Sequence, residues 1–226
     1  MNPDTVSEFS VIAIDGPAAS GKSTVARKLA KRLDFSYVNS GALYRGIAWL
    51  AQKHGIPPTD TIGVCGQVRK AVFSFDLRGK ELVFLIDGVN PELHLRDEQV
   101  NRTVSAISAI AEVRQFLVAH LRQFLTWDNL VMEGRDIGSM VFPDTLYKFY
   151  IDASIEVRAQ RRAIQGQRDD LFFRDRADSS RRASPLTIAE DAHVIDSSSL
   201  TIDGVVGEIV GRLKIKGLPE ALRLDP

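Results

Sequence analysis

Phe9 to Val25, FSVIAIDGPAASGKSTV, is the stretch that decides the fold. Val11, Ile12, Ala13 and Ile14 make a short continuous apolar run, the pattern of a strand buried on both faces. Gly16-Pro17-Ala18-Ala19-Ser20-Gly21-Lys22-Ser23 follows and fits G-x-x-x-x-G-K-[ST] at every fixed position, with Thr24 continuing into a helix. The two glycines let successive backbone N–H groups curl into a concave anion site, and a helix starting near Lys22 adds the positive end of its dipole. Lys22 can then reach β- and γ-phosphates, while the Ser23 hydroxyl can ligate Mg²⁺. A glycine-rich turn with no ligand is the plain alternative. Motif and strand–helix context coincide here, so the reading is a nucleoside triphosphate site.

Outward from this stretch the strand–helix alternation continues. Val25, Leu29 and Leu33 repeat at i, i+4, i+8, with Arg27, Lys28, Lys31 and Arg32 on the outer face of the same helix. Phe35 to Val38 reads as a second strand, and Asn39-Ser40-Gly41 as the cap of a helix carrying Leu43, Ile47 and Leu50. Such alternation predicts an α/β fold, a P-loop parallel sheet flanked by helices. The pattern breaks after Thr59. Ala71–Leu77 and Glu81–Asp87 flank Arg78-Gly79-Lys80 as a β-hairpin. A hairpin does not continue a parallel sheet, so it reads as part of a small inserted subdomain. Asp97 to Thr126 reads as two helices meeting near Ala111. Strands are expected at Asn129–Met132, Leu146–Ile151 and Val194–Ile195, an Arg-rich helix from Ser154, and a closing helix over Thr201–Leu213. The expected organisation is one domain: a core of 8–58 and 127–226, an insert over 59–126, and a short lid over 158–182.

The 226 residues carry 29 Lys+Arg against 29 Asp+Glu, so bulk charge points to neither a nucleic acid nor a membrane partner. The lone Cys65 excludes an internal disulfide and a multi-cysteine metal site, and it reads as a packing residue. The acidic N-terminus does not read as a signal peptide, and no apolar run approaches a membrane span. A monomeric cytoplasmic enzyme is the expectation.

Three further clusters speak to an acceptor. Ser40 to Arg45 opens a helix just after a strand, facing the same crevice as the P-loop, where Arg45 can grip an anion bidentately. Glu133-Gly134-Arg135-Asp136 ends a strand, where open α/β sheets place ligand groups, and Glu133 has the position of a carboxylate that helps hold Mg²⁺. Arg174, Asp178 and Arg181 fall on one helical face, although that spacing also makes a solvated salt-bridge ladder. Arg158, Arg161 and Arg162 are equally readable as a solvated face. Together, a P-loop and arginines from separate segments suit phosphoryl transfer, which needs mainly positioning and charge neutralisation.

On these residues the chain resembles bacterial-type cytidylate kinases (CMP/dCMP kinases) over nearly its whole length. The resemblance is carried by IDGPAASGKST, NSGALYRG, VSAISAIAEVR, EGRDIGSMVFPD, ASIEVRAQRR, RDRADSSRRASPL and VIDSSSLTID. It implies phosphorylation of CMP and dCMP by ATP·Mg²⁺, with the hairpin insert as the NMP-binding subdomain. It implies that Ser40, Tyr44 and Arg45 line the monophosphate site and that Ser105 and Arg114 approach the cytosine edge. Arg135 and Arg174 would hold the transferring or acceptor phosphate, and Asp178 and Arg181 would contact ribose and phosphate. Asp136 would accept from the cytosine N4 amino group, a donor that suits a carboxylate where uracil presents an acceptor. Arg158 and Arg162 would belong to a mobile lid over ATP. The chain departs from the pattern at Asn39 and Glu133, where the family has Asp, at Ser139, where it has Thr, and in a short lid segment from Ala163 to Phe173. Two rivals follow: a P-loop kinase with another small acceptor, or a nucleotide-binding regulatory module with an impaired lid.

Overall fold

Seven strands form one sheet in the computed structural model, which describes residues 9–164, 175 and 186–222. They are β1 (Val11–Asp15), β2 (Ser36–Asn39), β3 (Phe73–Arg78), β4 (Glu81–Ile86), β5 (Leu130–Gly134), β6 (Tyr147–Asp152) and β7 (His193–Asp196), in the order β3-β4-β2-β5-β1-β6-β7. Every neighbouring pair is parallel except β3–β4. β1 sits between β5 and β6 with all five residues buried, as its unbroken apolar run requires.

Period-2 alternation along β1 divides the core. Val11 and Ala13 join a cluster on one face with α2 (Ser40–Lys53), α3 (Thr61–Lys70), α4 (Glu98–Ser108) and α5 (Ala111–Phe124). Ile12 and Ile14 join a second cluster with Val25 and Leu29 of α1 (Lys22–Leu33), and with Val205, Val206 and Ile209 of α7 (Ile202–Ile215). Two shorter helices, α6 (Ile155–Ile164) and α8 (Pro219–Leu222), complete the described set. The α/β class and the parallel core therefore stand as expected.

Two features differ from the sequence reading. α3 was not foreseen. Asp60 caps it by accepting from the Gly63 N–H at 2.9 Å, but Gly63 and Gly66 weaken its helical signal and only Val64, Cys65 and Val68 are buried. The hairpin, in turn, does continue the sheet. Gly79 and Lys80 both take positive φ (57° and 64°), a two-residue turn suited to the strand twist. β4 then pairs parallel with β2 at Tyr37 and Glu81, and the Tyr37 N–H donates to the Lys80 carbonyl at 2.7 Å. β3 is welded to α5 by rings: Phe73 lies 4.9 Å from Phe116, and Phe75 lies 5.1 Å from Phe124. Among the described residues no single helix is long and apolar enough to cross a membrane; α4 and α5 meet at 94°.

Candidate active site

The P-loop leaves the carboxyl end of β1 and runs into α1. Its first glycine is obligatory: a Cβ at Gly16 would lie 2.1 Å from the Ile151 carbonyl oxygen of β6. Gly21 caps α1 at φ 91°, and Ala19 also takes a left-handed conformation, φ 60°. Side chains from the far end of the chain engage the loop carbonyls. The Ser197 hydroxyl donates to Ser20 O at 2.8 Å and Arg161 to the same oxygen at 3.2 Å, while Arg158 donates to Ala18 O at 3.2 Å. The Lys22 ammonium, buried, donates to Pro17 O at 2.9 Å.

A crevice of about 960 Å³ opens in front of this loop. Its P-loop side is formed by Ala18, Ala19, Gly21, Lys22, Ser23 and Thr24; Gly16, Pro17 and Ser20 lie outside its lining. The opposite wall brings together Ser40, Tyr44 and Arg45 of α2, Ser105 of α4, Arg114 of α5, and Glu133, Arg135 and Asp136 from the end of β5. Arg162 lines it as expected. Arg158 does not: it is buried against Ala18 O, Ala153 O and Asp175, so here it buttresses the P-loop rather than facing a ligand. Arg161, read only as a solvated residue, lines the crevice. Arg174, Asp178 and Arg181 lie outside the described residues. The wall also includes Arg78 on the hairpin and Asn90, Glu92 and Arg96 beyond it, which carry no motif that sequence reading could use.

The acceptor wall is built by close approach and buried charge. The Ser40 hydroxyl donates to Glu133 O at 2.8 Å, and a Cβ at Gly134 would lie 2.6 Å from that hydroxyl oxygen, so the start of α2 can sit against the end of β5 only because the residue is glycine. Arg114 and Asp136 form an ion pair in which each side chain is 5% exposed. Arg114 also donates to Ser108 O at 3.1 Å, and its guanidinium lies 5.4 Å from the centre of the Tyr44 ring. Three segments far apart in sequence thus meet on one buried guanidinium.

Asp15, the last residue of β1, went unnoticed in the sequence because it precedes the motif. Its two carboxylate oxygens accept the N–H groups of Ile137 and Gly138, each at 2.8 Å, and so tie the root of the P-loop to the turn that carries Asp136. Burial pushes its carboxyl up to about 7 against those two N–H groups, with the Asp136 charge adding to the rise and Lys22 opposing it. Glu133, 2% exposed, accepts the Tyr37 hydroxyl proton at 2.8 Å. Burial first, then the Glu133 charge, pushes the phenol's ionisation far above its ordinary range, so Tyr37 remains a donor.

Ser23 and Glu133 both line the crevice, offering a hydroxyl and a carboxylate oxygen. These hard donors suit Mg²⁺, which usually takes one or two protein ligands and completes its shell with waters and phosphates. Among the described residues no group of three or more His, Cys, Asp or Glu is placed to hold a metal.

A P-loop at the carboxyl end of a central parallel strand, facing an arginine-rich wall across one crevice, defines a P-loop kinase. A gluconokinase from Sinorhizobium meliloti shares the fold, with a TM-score of 0.50 over 97% of this chain and 99% of that one at 14% identity. The sequence narrows the class further. A model of the family described as cytidylate kinase matches residues 12–215, and the chain belongs to that family. It is 38% identical to a cytidylate kinase of Desulforamulus reducens over 216 residues, 91% of this chain and 97% of the relative. It is 41% identical to one of Caldanaerobacter subterraneus subsp. tengcongensis over 209 residues, 88% and 92% of the two chains.

Proposed function

We propose that the chain transfers the γ-phosphoryl group of ATP to CMP and dCMP, giving ADP and CDP or dCDP, with Mg²⁺ as the accompanying ion. The single observation that carries the reading is that the P-loop lysine and the buried Arg114–Asp136 pair open onto one crevice.

The donor phosphates lie along the P-loop amides, with Lys22 exchanging its Pro17 carbonyl for phosphate oxygens. Ser23 and Glu133 would hold Mg²⁺, which would supply neutralisation of charge on the phosphates. Arg45, Arg135 and, from the resemblance, Arg174 hold the acceptor phosphate in line. That phosphate is largely a dianion at neutral pH, since its second pKa is about 6, so no general base is needed to make it a nucleophile. The cytosine edge meets Asp136, which accepts from N4, while Arg114 donates to the ring's acceptors; Asp178 and Arg181 take the ribose. Uracil would set its O4 against the Asp136 carboxylate and leave that acceptor unmatched, a mismatch of about 1–3 kcal/mol.

On this reading residues 59–126 serve as the monophosphate-binding part and 158–182 as the lid, in a monomeric cytoplasmic enzyme. A steady-state assay of ADP formation with CMP, dCMP, UMP and AMP is the test. Turnover of CMP and dCMP at least about tenfold above UMP is expected. Equal turnover of UMP would overturn the cytosine assignment, and turnover of none of the four would overturn the kinase assignment.

A further inference from the structure

We infer that Tyr37 is a positioning residue for the Glu133 carboxylate. The inference rests on the reading of Glu133 as a metal-holding group.

β2 and β5 run parallel with Tyr37 opposite Val131 and Asn39 opposite Glu133. Alternate residues share a face of a sheet, so Tyr37, Asn39, Val131 and Glu133 all project to the side covered by α1. The Tyr37 hydroxyl donates to Glu133 Oε1 at 2.8 Å in a fully enclosed contact. The hydroxyl carries a single proton, and Glu133 is the acceptor that takes it. The tyrosine ring is itself braced: Arg27 of α1 lies 4.7 Å from its centre and is paired to Glu81 at 2.8 Å.

The consequence concerns orientation. A glutamate has three side-chain torsions, and holding one of its oxygens fixes them before any cation arrives.

The test measures Mn²⁺ affinity by electron paramagnetic resonance, using full-length protein saturated with a non-hydrolysable ATP analogue, for wild type, Tyr37→Phe, Glu133→Gln and the double variant. Circular dichroism melting verifies folding of each. Loss of a group that orients a metal ligand weakens metal binding about 10-fold or more. Tyr37→Phe is expected to weaken Mn²⁺ by about that factor in the wild-type background and by less than about twofold when Glu133 is already Gln, because the tyrosine acts through the carboxylate. An unchanged affinity in Tyr37→Phe, or the same loss in both backgrounds, overturns the inference while leaving Glu133's metal role standing. If Glu133→Gln itself leaves Mn²⁺ affinity unchanged, the metal role fails and the inference falls with it. Tyr37→Met supplies a second route should Tyr37→Phe not fold, since its adaptable side chain fills the site without a hydroxyl; the same loss of about 10-fold is expected, and no loss overturns the proposal.

Discussion

The two sides of the crevice are made of different material. The donor side is backbone: loop amides, two glycines with positive φ, and a helix start, with a single lysine added. The acceptor side is side chains, brought by α2, α4, α5 and the end of β5 and joined through the buried Arg114–Asp136 pair. A backbone site demands particular residues at fixed spacing, because only glycine fits beneath Ile151 O at Gly16. A side-chain site demands only that several elements arrive together. The first kind writes itself into sequence as a motif, and the second leaves scattered charges.

The contrast can be broken where the donor side depends on its one side chain. Lys22→Ala is expected to lower kcat by about 10³-fold, with unfolding stability changed by about 1 kcal/mol through loss of its hydrogen bond to the Pro17 carbonyl. Stopped-flow turnover beside urea unfolding checks both. Asp136→Asn probes the other side and is expected to differ in kind. It leaves the Arg114 charge buried without its counter-ion, so stability should fall by about 3 kcal/mol, and CMP/UMP discrimination should fall as well. Loss of discrimination with full stability would mean that the pair is not structural.

Asp15 joins the two sides, and its titration sharpens the comparison. Its folded carboxyl titrates near 7 against an ordinary value of 3.8, so between those values the folded state holds the extra proton. Stability should therefore fall as pH rises through that window, by at most about 1.4 kcal/mol per unit, and level off above it. Urea midpoints at pH 5, 6, 7 and 8 should flatten in Asp15→Asn relative to wild type. The smallest effect is expected away from the site. Gly79→Ala meets no atom within 4 Å but keeps φ near 57°, so it should cost about 1 kcal/mol in backbone strain and leave the KM for CMP unchanged.

Legibility in the sequence followed the same division. The parallel core was readable because β1 is an unbroken apolar run and α1 and α2 keep their stripes. The P-loop was readable as a motif because backbone geometry dictates its glycines. Ser40, Arg45 and Asp136 could be singled out by their places at a helix start and a strand end, whereas Arg114 was readable only through resemblance, because nothing local says that position 114 and position 136 touch. Asp15 and Tyr37 were not readable at all, since a strand-end carboxylate and a buried phenol have no signature until the register of β1, β2 and β5 is known. Arg158 was readable as an arginine but not as a buttress, because Ala18, whose carbonyl it holds, lies 140 positions away. The hairpin was recognised yet set apart from the sheet, because the pairing that attaches it involves only Tyr37 and Glu81.

That narrow attachment has a consequence for how the molecule opens. β4 meets β2 at one paired position, whereas β3, to which β4 pairs along its length, is welded to α5 through Phe73, Phe75, Phe116 and Phe124. In native-state hydrogen exchange the seam between β4 and β2 would mark a cooperative boundary, with the hairpin and α5 losing protection together at a lower free energy than β1, β5 and β6. Because α5 also carries Arg114, the less protected unit holds one residue of the acceptor wall, and slow exchange of its amides would report a filled site.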